Sequence, residues 1–144
     1  MNKNIDLIKK NSAYIWFLFN AESQTLGRLS TEICKVLIGK NNACYNFGNV
    51  PQHGVIIINA EKITVTGKKF TDKLYCRHSG RPGGLKIETF KELQKRLPLK
   101  SIENSIRGML PKNSFGRKLF TKLKIYKGSQ HPHKAQYPVE IFLN

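Results

Sequence analysis

Residues 15–19 read IWFLF, an uninterrupted apolar run of the length of one β-strand. Runs of this kind are typical of strands covered on both faces, as in a mostly parallel sheet flanked by helices. A second run, VIII at residues 55–58, is β-branched throughout. We therefore predict that the first run is a central strand and that the second is a parallel strand of the same sheet.

An amphipathic helix is predicted between the two runs. Apolar residues recur there with the spacing of one helix face, charged residues occupy the other face, and Gly39 is placed to end the helix. The apolar positions are Leu26, Leu29, Ile33 and Leu37. A strand, a helix and a second strand in this order form a βαβ unit with a right-handed crossover.

Shorter elements follow the βαβ unit. Residues 63–66 alternate with a period of two and residues 74–76 are apolar, so each segment is predicted to be a short strand. Beyond the break at residues 80–84, three helices are predicted, and residues 124–126 again resemble a strand. The apolar stripes of the helices are Phe90, Leu93 and Leu97, then Ile102, Ile106 and Met109, then Phe115, Leu119 and Leu123, with Ser114 as a cap.

The length and composition are those of a single domain, which we assign to residues 1–144. Of the 144 residues, 40% are hydrophobic, and a chain of this size can bury about two thirds of its unfolded surface. Residues 1–13 are interpreted as an N-terminal tail. Periodicity fades after Lys127, so residues 129–144 are predicted to be a C-terminal extension that relies on a partner for order.

The charge balance indicates a polyanionic partner. The chain carries 25 Lys and Arg against 9 Asp and Glu, which gives a formal net charge of +16, and no acidic residue occurs between Glu103 and Glu140. Such an excess repels itself unless a polyanion neutralises it, so nucleic acid is the favoured partner and an anionic membrane the second. No segment approaches the roughly 20 apolar residues of a membrane span, and residues 1–6 lack a signal-peptide core.

The cysteines indicate neither a zinc site nor a disulfide framework. Cys34, Cys44 and Cys76 are odd in number and form no C-x-x-C pair. A reducing compartment fits this pattern best. Cys34 lies beside the apolar face of the predicted helix, so we expect a buried, inert thiol.

The glycine-rich segment SGRPGGLK, residues 79–86, is a candidate binding loop. Its glycines let backbone N–H groups approach phosphate oxygens, and Arg81 and Lys86 add positive charge. The spacing matches neither G-x-x-x-x-G-K-[ST] nor G-x-G-x-x-G, which disfavours a nucleotide-binding loop. We interpret the segment as a loop laid against an RNA backbone, with a plain flexible turn as the alternative.

The histidines do not predict catalysis or metal binding. The spacing of His131 and His133 occurs in some metal sites, but no carboxylate lies near this pair in the sequence and no Asp/Glu cluster of the kind that holds catalytic Mg²⁺ is evident. His78 stands between Arg77 and Ser79 and is interpreted as a phosphate or base-stacking contact. The alternative for His78 is a structural histidine.

The last predicted helix carries the third candidate surface. Arg117, Lys118 and Lys122 lie opposite its apolar stripe, so packing of that stripe directs the cations outward. A solvated face would normally mix charges of both signs, and no acid interleaves here. Contact with nucleic acid is therefore favoured over a merely solvated face.

Ordered motifs connect the chain to a known family. They are TLGRL (25–29), GK (39–40), INA (58–60), VTGKK (65–69), RHSGRPGGLK (77–86), GMLPK (108–112), LKIY (123–126) and HPHKAQ (131–136). With these motifs the chain resembles large-subunit ribosomal protein thirteen, in its bacterial and organellar form, over nearly its whole length. Two departures concern loop contacts: Asn20 stands where an Asp commonly follows the first strand, and residues 52–54 replace a more acidic stretch.

The resemblance implies a fold and a role. The fold is α/β, a three-layer α/β/α core with a small, mostly parallel four-stranded sheet. The role is structural: binding of large-subunit rRNA early in subunit assembly, beside neighbouring large-subunit ribosomal proteins, with no enzymatic activity, cofactor, metal or small-molecule substrate. The residues predicted to contact RNA are Arg28, Lys40, Lys68, Lys69, Lys73, Arg77, His78, Arg81, Gly83, Gly84, Lys86, Lys112, Arg117, Lys118, Lys122, Lys124, Lys127, His131, His133 and Lys134.

Two further features bear on compartment. The Arg-Pro-Gly-Gly form of the central loop resembles cyanobacterial and plastid members, and the wealth of Lys, Asn and Ile is typical of an AT-rich genome. With no evident transit peptide, the stroma of a plastid (chloroplast) is the expected location, and a mitochondrial or bacterial source stays open. The alternative function is a freestanding RNA-binding or RNA-processing protein.

Overall fold

A computed structural model describes residues 14–42, 45–46 and 48–142 of the chain. The tail expected at residues 1–13 and Cys44 therefore lie outside the described residues. The α/β class is confirmed: a four-stranded sheet and five α-helices are accompanied by a separate two-stranded hairpin among the described residues.

The central sheet is parallel throughout. Its strands are β1 (Ile15–Asn20), β2 (His53–Ile58), β5 (Leu123–Ile125) and β6 (Val139–Ile141), in the spatial order β5-β2-β1-β6. Phe17 of β1 stands opposite Val55 of β2 on one side and Val139 of β6 on the other. The first run is therefore a central strand and the second is a parallel strand of the same sheet, as predicted, and the second is also central.

The βαβ unit is also confirmed. Helix α1 (Leu26–Ile38) connects β1 to β2 and ends at Gly39, whose φ is +81°. In this left-handed conformation the Gly39 N–H donates to the carbonyls of Lys35 and Val36, so these carbonyls of the last helical turn have a hydrogen-bond donor.

One hydrophobic cluster joins the helices to the sheet. Phe17, Phe19, Val55 and Ile57 pack there with the buried residues of α1 and with Phe90, Ile102, Ile106 and Leu119 from later helices. Cys34 belongs to this cluster, which confirms its predicted burial. Burial raises the pKa of the Cys34 thiol to about 11, so the thiol is protonated at neutral pH.

The second half of the chain begins with a small hairpin. Helix α2 (Lys69–Asp72) leads into β3 (Leu74–His78), which pairs antiparallel with β4 (Leu85–Thr89). The prediction of a strand at residues 63–66 is wrong, because the only pairing there is an isolated bridge between Thr25 and Thr64 among the described residues. Ile63 is buried in the core and Val65 packs against it, so their alternation reflects packing and not membership of a sheet.

Three helices follow the hairpin: α3 (Phe90–Arg96), α4 (Pro98–Met109) and α5 (Ser114–Thr121). A capping box starts α3, since the Thr89 hydroxyl accepts from the Glu92 N–H and the Glu92 carboxylate accepts from the Thr89 N–H. The prediction that the last helix continues to Leu123 is wrong. Helix α5 ends at Thr121, and Leu123 opens β5.

The C-terminal segment contributes to the sheet. Residues 134–136 form one 3₁₀ turn, and β6 then pairs with β1 at the edge of the sheet. From the sequence, residues 129–144 are predicted only as an extension, so this strand is an addition to the prediction. A strand of three residues, VEI, is too short to show a period, and it is defined by its pairing with β1.

Candidate nucleic-acid interface

The predicted contact residues are mainly exposed cations without acidic partners. Among residues 14–42, 45–46 and 48–142, the acids form ion pairs with Lys35, Lys62, Arg96, Lys100 and Lys127. Only Lys127, 3.6 Å from Glu61, belongs to the predicted set. The other predicted Lys and Arg residues are exposed, apart from half-buried Lys122, and pair with no described carboxylate. Their charge is available to an external anion.

The hairpin brings together the cations of the central motif. In the register of β3 and β4, Arg77 stands directly opposite Lys86. Like charges in directly opposite positions destabilise a strand pair. A bound polyanion would remove this repulsion, because it can neutralise both side chains at once.

The loop at the tip of the hairpin is held by its own hydrogen bonds. The Gly84 N–H donates to the Arg81 carbonyl at 2.9 Å, and the Gly80 N–H donates to Nδ1 of His78 at 2.9 Å. Gly83 has a φ of +70°, whereas a β-carbon on Gly84 would overlap the Ser79 hydroxyl. The two glycines therefore permit the same tight turn for different reasons, one conformational and one steric.

Two of the three cations predicted on the last helix lie on an exposed helical surface. Asn113 caps α5 by accepting the Gly116 N–H at 2.9 Å, so the prediction of Ser114 as the cap is wrong by one residue. Leu119 is fully buried. Arg117 and Lys118 are exposed. The amphipathic pattern thus places these two side chains in solvent, as the sequence indicated.

Lys122 differs from those two cations. It follows α5, its ammonium donates a hydrogen bond to the Pro51 carbonyl, and its Nζ lies 5.2 Å from the centre of the Tyr14 ring. Partial burial lowers the pKa of Lys122. This side chain ties the start of β5 to the residues that precede β1 and β2.

An aromatic array contains both histidines of the HPHKAQ motif. We define it as Trp16, Tyr126, His131 and His133. The ring of His133 is nearly parallel to that of Trp16, with centroids 5.5 Å apart and 10° between the planes. The ring of His131 is also near-parallel to that of His133, with centroids 6.4 Å apart and 20° between the planes. The Tyr126 hydroxyl is hydrogen-bonded to Nε2 of His133 at 2.7 Å.

Sequence reasoning missed Trp16 and Tyr126 as parts of this site. A signal was present at Gly54, directly before the β-branched run 55–58, since a glycine in a strand often marks a close approach. A β-carbon on Gly54 would overlap the Trp16 ring. The glycine therefore makes room for the indole on which the C-terminal segment rests.

The departures from the family pattern have structural roles. The Asn20 side-chain oxygen accepts from the Asn59 amide and from the Glu22 N–H, both at 3.0 Å, and so joins the ends of β1 and β2. His53 is buried, with Nε2 2.6 Å from the Asn42 amide nitrogen. Burial, with a smaller effect from the Lys122 charge, lowers the pKa of His53.

Metal-binding clusters and membrane-spanning helices are absent from the described part of the chain. No group of three or more His, Cys, Asp or Glu side chains there is placed to hold a metal ion. No helix there is long and apolar enough to cross a bilayer. The exposed cations and the aromatic array are thus the features that a function has to explain.

Comparison with known proteins identifies the family. The family described as ribosomal protein L13 matches residues 14–132. A large ribosomal subunit protein uL13 of Thermosynechococcus vestitus is 58% identical over 129 residues, which are 90% of this chain and 85% of that protein. The uL13 of Synechocystis sp. is 54% identical over 144 residues, which are 100% of this chain and 95% of that protein. The uL13 of Prochlorococcus marinus is 56% identical over 138 residues, which are 96% of this chain and 92% of that protein. These matches confirm the resemblance of the motifs, and the chain belongs to the ribosomal protein L13 family.

Proposed function

We propose that this protein is a structural constituent of the large subunit of a bacterial-type ribosome, where it binds large-subunit rRNA. The observation that carries the proposal is the match over nearly the whole chain to proteins named large ribosomal subunit protein uL13. The exposed, acid-free cations of the folded domain support rRNA as the ligand. In this role the protein positions RNA and neighbouring ribosomal proteins during early assembly and has no enzymatic activity.

The compartment we propose is a plastid. Cyanobacterial proteins are among the most similar relatives, and the Lys-, Asn- and Ile-rich composition is typical of an AT-rich genome. Both observations support a protein of a plastid ribosome. Imaging the tagged protein together with a plastid stromal marker tests this assignment, and a mitochondrial signal would contradict it.

Sedimentation tests the ribosomal role. The tagged protein is expected to cofractionate with large subunits and to stay there after a wash in moderate salt. It should also be present in early assembly intermediates when new subunits are pulse-labelled. A freestanding RNA-processing protein would instead form a soluble pool that cleaves RNA, and that outcome would reject the proposal.

Two matched charge variants test which cations bind rRNA. Arg77, Arg81 and Lys86 are replaced by Gln in the first variant, and Lys35, Lys62 and Lys100 in the second. Both lose three positive charges, but in the second each lost cation already has a Glu partner. The slope of log affinity against log salt should flatten by about 0.7 to 0.9 per lost phosphate contact in the first variant only. Equal slopes in the two variants would contradict the assignment of the hairpin to rRNA.

A further inference from the structure

We propose that His131 is a stacking site for an unpaired RNA base, at the outer end of the aromatic array. The proposal rests on the proposed function, since it names which part of an RNA ligand meets this surface. It requires a partly exposed ring and nearby positive charge for the backbone of the same nucleotide.

The ring of His131 is partly exposed beside the array. His133 makes near-parallel contacts with both Trp16 and His131. The other aromatic contact of His131 in the described chain is with Tyr126, tilted by 43° at 6.4 Å. His131 is only half-buried. A base placed on its outer face would extend the stack by one ring.

One edge of each histidine is engaged inside the protein. Nδ1 of His131 accepts the His133 backbone N–H at 3.3 Å, and Nε2 of His133 is hydrogen-bonded to the Tyr126 hydroxyl. The remaining polar atom of His131 is Nε2, and the His131→Lys variant below separates a phosphate contact of this edge from stacking on the ring face. Every base has a flat face that suits such a platform.

Cations accompany the array on the same side of the sheet. Trp16 stands opposite Gly54, and Lys124 stands opposite Ile56, two residues further along β2. Since alternate residues of a strand share a face, Trp16 and Lys124 project from the same face. Lys124 is exposed, as is Lys134 next to His133. These two cations are placed to bind the phosphates that flank a stacked base.

The ligand class follows from this geometry. Bases inside a duplex are already stacked on both faces and are not available to an external ring, whereas bases in loops and bulges can be splayed onto a side chain. The site therefore takes an unpaired nucleotide, with stacking tolerant of base identity. The double-helical parts of the RNA would meet the separate cations of the hairpin and α5.

The test uses the full chain and three variants of His131. His131→Ala removes the ring, His131→Phe keeps a flat ring without nitrogen atoms, and His131→Lys keeps a cation without a ring. The probes are a single-stranded RNA of about eight nucleotides with a central 2-aminopurine and a duplex of the same length. Affinity and 2-aminopurine quenching are measured at one salt concentration, and affinity is then followed against salt.

The expected pattern separates the ring from the charge. His131→Ala and His131→Lys should weaken single-strand binding about tenfold and abolish most of the quenching, whereas His131→Phe should restore both. Duplex binding and the salt slope should change little in His131→Ala. Emission of Trp16, the single tryptophan of the chain, reports whether the inner part of the array stays intact in each variant.

The contradicting outcomes are distinct for the two proposals. Unchanged single-strand binding by His131→Ala, or rescue by Lys as complete as by Phe, overturns the stacking site even when the protein cofractionates with large subunits. Absence of RNA binding and of cofractionation by the unmodified protein overturns the proposed function itself. A shift of Trp16 emission in His131→Ala with no rescue by Phe assigns His131 to packing alone, which also overturns the stacking site.

Discussion

Trp16 lies flat over Gly54, and a β-carbon at position 54 would overlap the indole ring. The two residues are directly opposite each other in the register of β1 and β2. The indole is also stacked against His133, with 10° between the ring planes. A glycine in a central strand thus determines where the C-terminal segment contacts the sheet.

Gly54→Ala should therefore destabilise the fold. The added methyl group displaces Trp16, and overpacking of this kind costs about 1–3 kcal/mol. Thermal unfolding followed by Trp16 fluorescence measures the cost and the altered environment of the ring. Gly27→Ala is the matched control, since a β-carbon there has no neighbour within 4 Å. It lies in α1, where alanine is favoured over glycine by up to about 1 kcal/mol. Equal stability of the two variants would contradict the packing role of Gly54.

The two sides of α5 should give opposite phenotypes. Leu119→Ala should lower stability by about 2–5 kcal/mol, because Leu119 is fully buried. Replacing exposed Arg117 and Lys118 with Gln should leave stability unchanged or improved and flatten the rRNA salt slope by about 0.7 to 0.9 per lost contact. Chemical denaturation and salt-titrated binding measure the two effects. An unchanged slope in the double Gln variant would mean that these cations are only solvated.

Lys122→Gln should behave differently from the double Gln variant. Its ammonium is bound to the Pro51 carbonyl, so the substitution should lower stability by about 1 kcal/mol, the usual net contribution of a hydrogen bond. Chemical denaturation measures the loss of stability, and salt-titrated binding measures the rRNA affinity. A loss of rRNA affinity without any loss of stability would show that Lys122 acts outward, as Arg117 and Lys118 do.

The local elements were predictable because their signals are short-range. Continuous apolar runs defined β1 and β2, a helical stripe defined α1, and Gly39 marked its end. Burial of Cys34 followed from its place beside that stripe. Each of these features depends on residues within a few positions of one another, and the core cluster then follows from where the apolar faces point.

The contacts that define the candidate site depend on long-range pairing. β6 has three residues and is a strand only because β1 lies beside it. Trp16 is far in the sequence from Tyr126 and His133, and its stacking against His133 depends on the return of the C-terminal segment to the sheet. Likewise, composition alone does not distinguish Lys122, bound to a carbonyl, from exposed Lys118.

Gly83→Ala should impair the function of the hairpin loop without destabilising the core. The φ of +70° at this position is unfavourable for any side chain, yet a β-carbon there meets no atom within 4 Å. The substitution should leave the melting temperature of the domain nearly unchanged, because the loop lies outside the core, and should reduce incorporation into large subunits. Competition with unmodified protein in a subunit-incorporation assay measures the second effect. Incorporation equal to that of the unmodified protein would identify the loop as a mere connector.

Stability should fall as pH is lowered below about 6.5, because of the titration of His53. Burial lowers the pKa of His53 from its usual value of 6.5, so in this window the unfolded state binds a proton that the folded state excludes. The stabilisation from neutral His53 is then fully present above pH 6.5 and declines as pH falls toward the pKa of the folded state, with a slope of at most about 1.4 kcal/mol per pH unit for one proton.

Glu92 titrates below this pH range, since its backbone hydrogen bond with Thr89 lowers its pKa from 4.5. His53→Gln keeps an acceptor for the Asn42 amide and removes the titrating group. Denaturation at several pH values should show a flatter profile for this variant than for the unmodified protein, and parallel profiles would place the pH dependence in another group.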